Sequence, residues 1–97
     1  MIRPITVPGA GAELAAVEAG DADAGKIPIL VIHENRGLVP YMFAEITRFA
    51  ERGHRVVAPD LLTRLGGTAA YADDPTSIST RAIENDVHVA DLIATYD

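Results

Sequence analysis

An unbroken apolar stretch at residues 27–32 is the feature that most constrains the fold of this chain. Most of its side chains are β-branched, and a strand without a polar face is typical of a parallel sheet that is covered on both sides. A helix is predicted to begin at Pro40 and to end at Gly53, and a second apolar strand follows at residues 55–59. This strand, helix and strand order indicates a right-handed βαβ crossover, so the chain is predicted to have an α/β fold with a mostly parallel sheet.

Further elements are predicted on either side of this crossover. Short β-type segments at residues 3–7 and 13–18 flank the turn-forming residues 8–11, which indicates a hairpin. Asp74 followed by Pro75 is typical of a helix start, and a long helix is predicted over residues 76–96. The predicted buried stripe of this helix consists of Ile83, Val87, Ala90 and Ala94, widened by Val89, Ile93 and Tyr96.

Composition narrows the class of protein. The 97 residues, 48% hydrophobic and 23% charged, predict one small folded domain. A net charge of −6 disfavours nucleic acid and anionic membranes as partners. No apolar segment approaches the roughly 20 residues of a membrane helix, and the first residues do not resemble a signal peptide. A cytoplasmic location is therefore the default expectation.

Few side chains in the chain could carry covalent or metal chemistry. The chain has no cysteine, which excludes a disulfide, a thiolate metal site and a thiol nucleophile within these residues. Neither Ser77 nor Ser79 lies in a Gly-x-Ser-x-Gly turn, so a serine nucleophile is not predicted here. Residues 9–14 lack the third glycine of a dinucleotide fingerprint, and no cofactor is predicted. No metal site is predicted either, because metal-motif spacing is absent among His33, Glu34, His54 and Asp60.

The loop that follows the apolar strand, His33-Glu34-Asn35-Arg36-Gly37, is the predicted functional site. In open α/β sheets, ligands and catalytic groups lie beyond the carboxyl ends of the strands. Backbone N–H donors in such a loop can stabilise a developing oxyanion, each by roughly 2.7–4 kcal/mol. A simpler interpretation also stays open, in which His33 and Arg36 satisfy local carbonyls and pair with Glu34.

Two polar residues outside this loop have structural interpretations. Asp60, at the exit of the second apolar strand, could face the same pocket as Glu34. A cap on the turn at residues 61–63 is the favoured role for its carboxylate. His88 is predicted to lie on the surface of the long helix.

Three stretches of the chain together resemble the dienelactone hydrolases, also called carboxymethylenebutenolidases, which have the α/β-hydrolase fold. These stretches are residues 5–8, the strand and loop at residues 29–38, and residues 53–62 with Arg64 and residues 66–68 behind them. The last stretch is similar to the family's AxPDLxxRxGGT pattern. The resemblance spans nearly the whole chain and implies that residues 1–97 are the N-terminal part of a single α/β-hydrolase domain.

The resemblance implies a hydrolase of ester or lactone bonds that works through an acyl-enzyme intermediate. Its Cys or Ser nucleophile, its Asp and its His are expected beyond residue 97, so this segment alone is expected to be inactive. Glu34 would support the nucleophile, and the backbone N–H of Asn35 would contribute to the oxyanion hole. Arg36 and Arg81 are candidates for binding a substrate carboxylate, although Arg81 could instead pair with Glu84 on the helix surface.

The resemblance also implies a neighbour for the strand at residues 27–32. In the α/β-hydrolase strand order this strand lies between the strand at residues 55–58 and the nucleophile strand. The remainder of the hydrolase domain, from the same or another chain, is therefore the expected partner, together with a small-molecule ester or lactone substrate. The alternative is a non-catalytic α/β binding or interaction module, which would oligomerise to cover its exposed strand.

Overall fold

A computed structural model describes residues 2–21, 25–71, 73–74 and 77–96 of the chain. Within these ranges the backbone forms one sheet and two α-helices, with short 3-10 turns between them. The elements are β1 (Arg3–Pro8), β2 (Glu13–Ala19), β3 (Ile29–Leu30), α1 (Pro40–Glu51), β4 (Val56–Pro59) and α2 (Asn85–Tyr96). The predicted hairpin, first helix and second apolar strand are all present.

The sheet is mixed in strand direction. Its order among the described residues is β1-β2-β4-β3. Strands β3 and β4 pair in parallel, whereas β1 with β2 and β2 with β4 pair antiparallel. The predicted α/β class is confirmed. The sheet is less parallel than predicted because the hairpin continues into it through β2.

Strand β3 is shorter and more exposed than predicted. Only Ile29 and Leu30 are in strand conformation, and Ile27 and Ile32 are 79% and 55% exposed. One backbone bond extends the pairing, from the Val31 N–H to the Val57 carbonyl at 2.9 Å. The prediction of a strand covered on both faces is wrong for the described residues, because Ile29 and Leu30 are only half-buried there. As the last strand of the described sheet, β3 lies at its margin, where fewer elements pack over it.

The two helices cover opposite faces of the sheet. One buried cluster joins Ile46 of α1 to Ala19, Val56 and Ala58, and the half-buried Val17 packs against it. The other cluster includes Ala16, the neighbour of Val17 in β2, and Leu92 of α2 packs against it. Successive residues of a strand point to opposite faces, so β2 contributes to both clusters.

Helix α1 has the boundaries that the sequence predicts. Pro40 occupies the first turn, where its missing N–H has no helical partner to lose. Gly53 follows the helix with φ of 93°, a left-handed conformation that favours glycine and ends the helix. Among the described residues, neither α-helix is long and apolar enough to cross a membrane.

Helix α2 begins later than predicted. It starts at Asn85, and the preceding residues 80–82 form a 3-10 turn. The predicted first helical residues, 75 and 76, lie outside the described ranges. The Ser79 hydroxyl accepts the Arg81 N–H, and the Thr80 N–H donates to the Asn35 carbonyl. These polar contacts satisfy backbone groups that a continuous helix would have used, which explains the shorter helix.

The buried side of α2 also differs from the prediction. His88 and Asp91 are buried, whereas the three residues predicted to widen the apolar stripe, Val89, Ile93 and Tyr96, are each more than half exposed. The prediction of His88 as a surface residue is therefore wrong, as is that part of the stripe. The buried side of α2 instead includes the polar side chains of His88 and Asp91, and the hydrogen bonds of Asp91 fix the orientation of the helix.

Asp91 connects α2 to two distant segments. Its carboxylate accepts hydrogen bonds from Nε and Nη2 of Arg64, at 3.0 and 2.7 Å. It also accepts a hydrogen bond from the Ala10 N–H, at 2.8 Å. The Arg64 guanidinium holds the pKa of the Asp91 carboxyl below its ordinary value. A bidentate pair of this kind fixes orientation as well as distance, so it sets which face of α2 meets the sheet.

Candidate active site

His33 links the site loop to the chain beyond β4. Its ring is buried, with Nδ1 at 2.7 Å from the Glu34 carbonyl and Nε2 at 2.8 Å from the Leu61 backbone nitrogen. A carbonyl can only accept, so Nδ1 carries the hydrogen, and the Leu61 N–H requires a lone pair on Nε2. These contacts define a neutral imidazole with a single tautomer. They also tie the start of the loop to the turn after β4.

This arrangement predicts that the protein loses stability in mild acid. Burial lowers the pKa of His33 from its ordinary 6.5, so the unfolded chain takes up the proton first as the pH falls. The stabilisation is fully present above pH 6.5 and declines as the pH falls from there towards the lower folded-state pKa. Urea midpoints measured on the complete protein between about pH 5 and 8 should show this decline. His33→Gln, which cannot titrate, should reduce it, and superimposable pH profiles would contradict the assignment.

Glu34 and Asn35 offer groups that the fold itself does not use. The Glu34 carbonyl accepts the Gly37 N–H at 3.1 Å as well as the His33 ring. Among the residues that the structure describes, however, the exposed Glu34 carboxylate has no hydrogen-bond or ion-pair partner, and the Asn35 N–H has no acceptor. The loop therefore presents an acceptor and a donor side by side.

The simpler interpretation of the loop is correct only in part. His33 does satisfy a local carbonyl, and a guanidinium nitrogen of Arg36 donates to the carbonyl of Ile78. The contacts of His33 with Glu34 are to its backbone, and within the described ranges the carboxylate is not paired. Local satisfaction thus fixes the loop without using the Glu34 side chain.

Two clefts lie beside this loop. One, of about 590 Å³, is lined by residues 34–37 together with Val39, Tyr41 and Met42. The other, of about 480 Å³ and mostly apolar, is lined in part by Arg36, Asp60 and residues of β2. Arg36 borders both clefts.

Asp60 has the capping role that the sequence favours. Its Oδ1 accepts the Leu62 N–H at 3.0 Å, and its Oδ2 accepts the Thr68 N–H at 2.7 Å. Thr68 in turn accepts the Leu38 N–H through its hydroxyl at 2.9 Å. Asp60 thereby organises the turn after β4 and holds Thr68 against the end of the site loop.

The remaining candidates from the sequence line neither cleft. Arg81 is exposed, and among the described residues it forms no ion pair with Glu84. Ser77 donates to the Asp74 carbonyl, and Ser79 accepts the Arg81 N–H, so both hydroxyls have local structural roles. No group of three His, Asp or Glu side chains that could hold a metal ion occurs in the described part of the chain.

Sequence reasoning missed the segment that packs on the site loop. Thr80 bonds Asn35 twice, although the two residues are 45 positions apart, and Arg36 reaches the carbonyl of Ile78. A threonine in a polar stretch carries no spacing signal that would indicate such a contact. The buried His88 contacts the same segment, and its hydrogen-bond partner was equally hidden in the sequence.

Comparisons with known proteins agree with this fold. No protein-family model matches the chain. A protein of Escherichia coli (strain K12), provisionally named as the hydrolase fragment YghX, is 47% identical over 45 residues, which are 45% of this chain and 38% of that protein. The crystal structure of a protein from Klebsiella pneumoniae, provisionally named as a dienelactone hydrolase, matches with a TM-score of 0.74 and 25% identity, over 97% of this chain and 41% of that one.

The fold is therefore a portion of an α/β-hydrolase fold. Both comparisons point to hydrolases, and the structural one is to a dienelactone hydrolase by name. The resemblance to the dienelactone hydrolase family is thereby confirmed. The chain spans less than half the length of either relative, at 38% and 41%.

Proposed function

We propose that this chain forms part of a dienelactone hydrolase-like enzyme that cleaves ester or lactone bonds through an acyl-enzyme intermediate. The observation that carries the proposal is the Asn35 N–H, which has no acceptor among the described residues and lies next to the unpaired Glu34 carboxylate at the exit of β3. An oxyanion donor must be fixed in place and free of other acceptors before the substrate binds. Asn35 satisfies both conditions.

The proposed reaction needs a nucleophile, Asp and His from beyond residue 97 of this chain or from another chain. The Cys or Ser nucleophile gives up its proton to the His, directly or by way of Glu34, and attacks the substrate carbonyl carbon. The carbonyl electron pair moves to the oxygen, where the Asn35 N–H stabilises the negative charge. Collapse of this intermediate expels the alkoxide, which takes a proton from the His, and leaves the acyl-enzyme. Water then attacks the acyl-enzyme in the same way and releases the carboxylic acid.

Glu34 and Arg36 have distinct proposed roles in this reaction. The Glu34 carboxylate would accept the proton of the nucleophile or hold it in one orientation. Arg36, which borders both clefts, would bind a carboxylate on the substrate through its planar guanidinium. Arg81 remains a second candidate for that carboxylate, at the exposed turn beside Thr80.

The same proposal accounts for the exposed apolar surfaces. The outer side of β3 and the exposed face of α2, formed by Val89, Ile93 and Tyr96, are where the remainder of the hydrolase domain would pack. These surfaces also favour the second candidate function, a non-catalytic module that oligomerises. The two candidates differ in chemistry and in assembly, so one pair of measurements separates them.

The test is hydrolysis of p-nitrophenyl acetate and butyrate by the complete protein. We expect a burst of p-nitrophenol stoichiometric with active sites, followed by steady turnover, because an acyl-enzyme accumulates. Light scattering on the same sample reports its assembly. A folded complete protein without ester turnover would overturn the enzymatic proposal, and a stable oligomer without turnover would support the binding module instead.

A further inference from the structure

Thr80 holds both the backbone and the side chain of Asn35. Its N–H donates to the Asn35 carbonyl at 2.9 Å, and its hydroxyl donates to the Asn35 Oδ1 at 2.8 Å. Two bonds from one residue restrict rotation as well as translation of the loop at Asn35. The Asn35 N–H belongs to the peptide unit of the Glu34 carbonyl, which His33 and Gly37 hold, and Thr80 fixes Asn35 from its other side. The direction of this N–H therefore depends on Thr80 together with His33 and Gly37.

His88 holds Thr80 in turn. The Nε2 of His88 lies 2.8 Å from the Thr80 carbonyl, and because a carbonyl only accepts, Nε2 carries the hydrogen. The Ile83 N–H donates to the same carbonyl at 3.1 Å, so the turn has a second, purely local support. Within the described ranges, the bond from His88 is the side-chain hydrogen bond that connects this turn to α2.

Burial of His88 costs folding free energy that its bond to Thr80 offsets. His88 is only 9% exposed, and its Nδ1 is buried without a hydrogen-bond partner among the residues that the structure describes. Buried polar atoms without partners destabilise a fold, and an apolar side chain would avoid the loss. A histidine here has an evident benefit only through the bond that its other nitrogen makes to Thr80.

We infer that His88 and Thr80 are positioning residues, which act in series to aim the Asn35 N–H at the substrate carbonyl oxygen. The inference rests on the proposed hydrolase function, since it is the oxyanion that requires the aim. Neither side chain touches the substrate in this arrangement. Their effect passes through the two bonds to Asn35, and it should therefore appear in the rate of the chemical step more than in substrate binding.

The test compares His88→Leu with His88→Gln in the complete enzyme. Leucine removes the donor, whereas glutamine keeps a side-chain N–H that can reach the Thr80 carbonyl. We expect His88→Leu to lower kcat about 10-fold with KM changed less than about 2-fold, a smaller loss than the roughly 10²–10³-fold for a missing oxyanion donor. His88→Gln should recover most of kcat. An unchanged kcat in His88→Leu, or an equal loss in both variants, would overturn the inference.

Thr80→Val and Thr80→Ser test the next link. Valine removes the hydroxyl bond to Asn35 but keeps the shape, and serine keeps the bond. We expect Thr80→Val to lower kcat and Thr80→Ser to leave it unchanged. In the His88→Leu and Thr80→Val double variant, the fold-loss of kcat should be smaller than the product of the two single fold-losses, because both act through Asn35. Fully multiplicative losses would contradict action in series.

Hydrogen exchange separates this inference from the proposed function. The Thr80 amide, which donates to the Asn35 carbonyl, should exchange faster in His88→Leu than in the unsubstituted protein or in His88→Gln. If the complete protein cleaves no ester but this difference appears, the proposed function fails and the catalytic role of His88 fails with it, whereas the structural connection from His88 through Thr80 to Asn35 stands. If esters are cleaved but His88→Leu changes neither the exchange of the Thr80 amide nor kcat, the inference about His88 and Thr80 fails and the proposed function stands.

Discussion

Glu34→Gln in the complete enzyme should lower kcat for p-nitrophenyl esters about 100-fold, the lower end of what a positioned proton-transfer group contributes. The substitution should leave the loop in place, because His33 and Gly37 bond the backbone carbonyl of Glu34 and not its carboxylate. A 100-fold loss corresponds to about 2.7 kcal/mol of transition-state stabilisation. Steady-state kinetics measure it, and the acidic limb of the kcat/KM pH profile should change as well, since the carboxylate acts on ionisation of the nucleophile.

A matched surface variant controls for the loss of a negative charge. Glu13→Gln removes an exposed carboxylate at the start of β2, outside the site loop, and should leave kcat within about 2-fold. Urea midpoints of both variants should match that of the unsubstituted protein. If Glu34→Gln turns over esters at the normal rate with an unchanged pH profile, Glu34 has no part in the mechanism.

Elements whose signals are local could be predicted from the sequence. Pro40 and Gly53 mark the ends of α1 because proline and glycine restrict or free the backbone wherever they occur. The hairpin of β1 and β2 and the capping role of Asp60 follow from turn residues only a few positions away. In each case the physical cause lies within one turn or strand of the residue itself.

Strand β3 shows where a local pattern was insufficient. The apolar composition of residues 27–32 indicates a strand that becomes buried, and the crossover through α1 makes its pairing with β4 parallel. Burial of Ile27 and Ile32, however, depends on a neighbour at the outer edge, and none lies there among the described residues. A hydrophobic pattern predicts which side chains of a strand can become buried, but it does not predict which other segment of the chain packs on them.

Helix α2 and the site loop depend on contacts between distant polar residues. Arg64 and Asp91 are 27 positions apart, and their pairing turns α2 so that His88 faces inward and Ile93 outward. Thr80 and Asn35 are 45 positions apart. The apolar spacing of α2 fits several orientations about equally well, and a single bidentate ion pair to the buried Asp91 carboxylate is enough to select one of them.

Gly37→Ala should destabilise the complete protein by about 2–5 kcal/mol and lower its ester turnover with it. Gly37 has φ of 83°, where an L side chain is strained, and a Cβ there would lie 2.1 Å from the Thr68 hydroxyl and 2.9 Å from Leu62 Cδ1. That hydroxyl accepts the Leu38 N–H, so moving it breaks the contact that holds the end of the loop. Asn35 is two residues away and should shift as well. Urea unfolding and steady-state kinetics measure the two effects.

Gly11→Ala separates backbone strain from the close contact. Gly11 also has a positive φ, of 72°, but nothing lies within 4 Å of a Cβ built there. It should cost only the roughly 1–2 kcal/mol of the left-handed conformation and leave turnover intact. The excess loss in Gly37→Ala then measures the packing of the loop against Thr68. Equal losses in the two variants would mean that the loop relaxes away from Thr68 without consequence, and that this contact does not hold Asn35 in place.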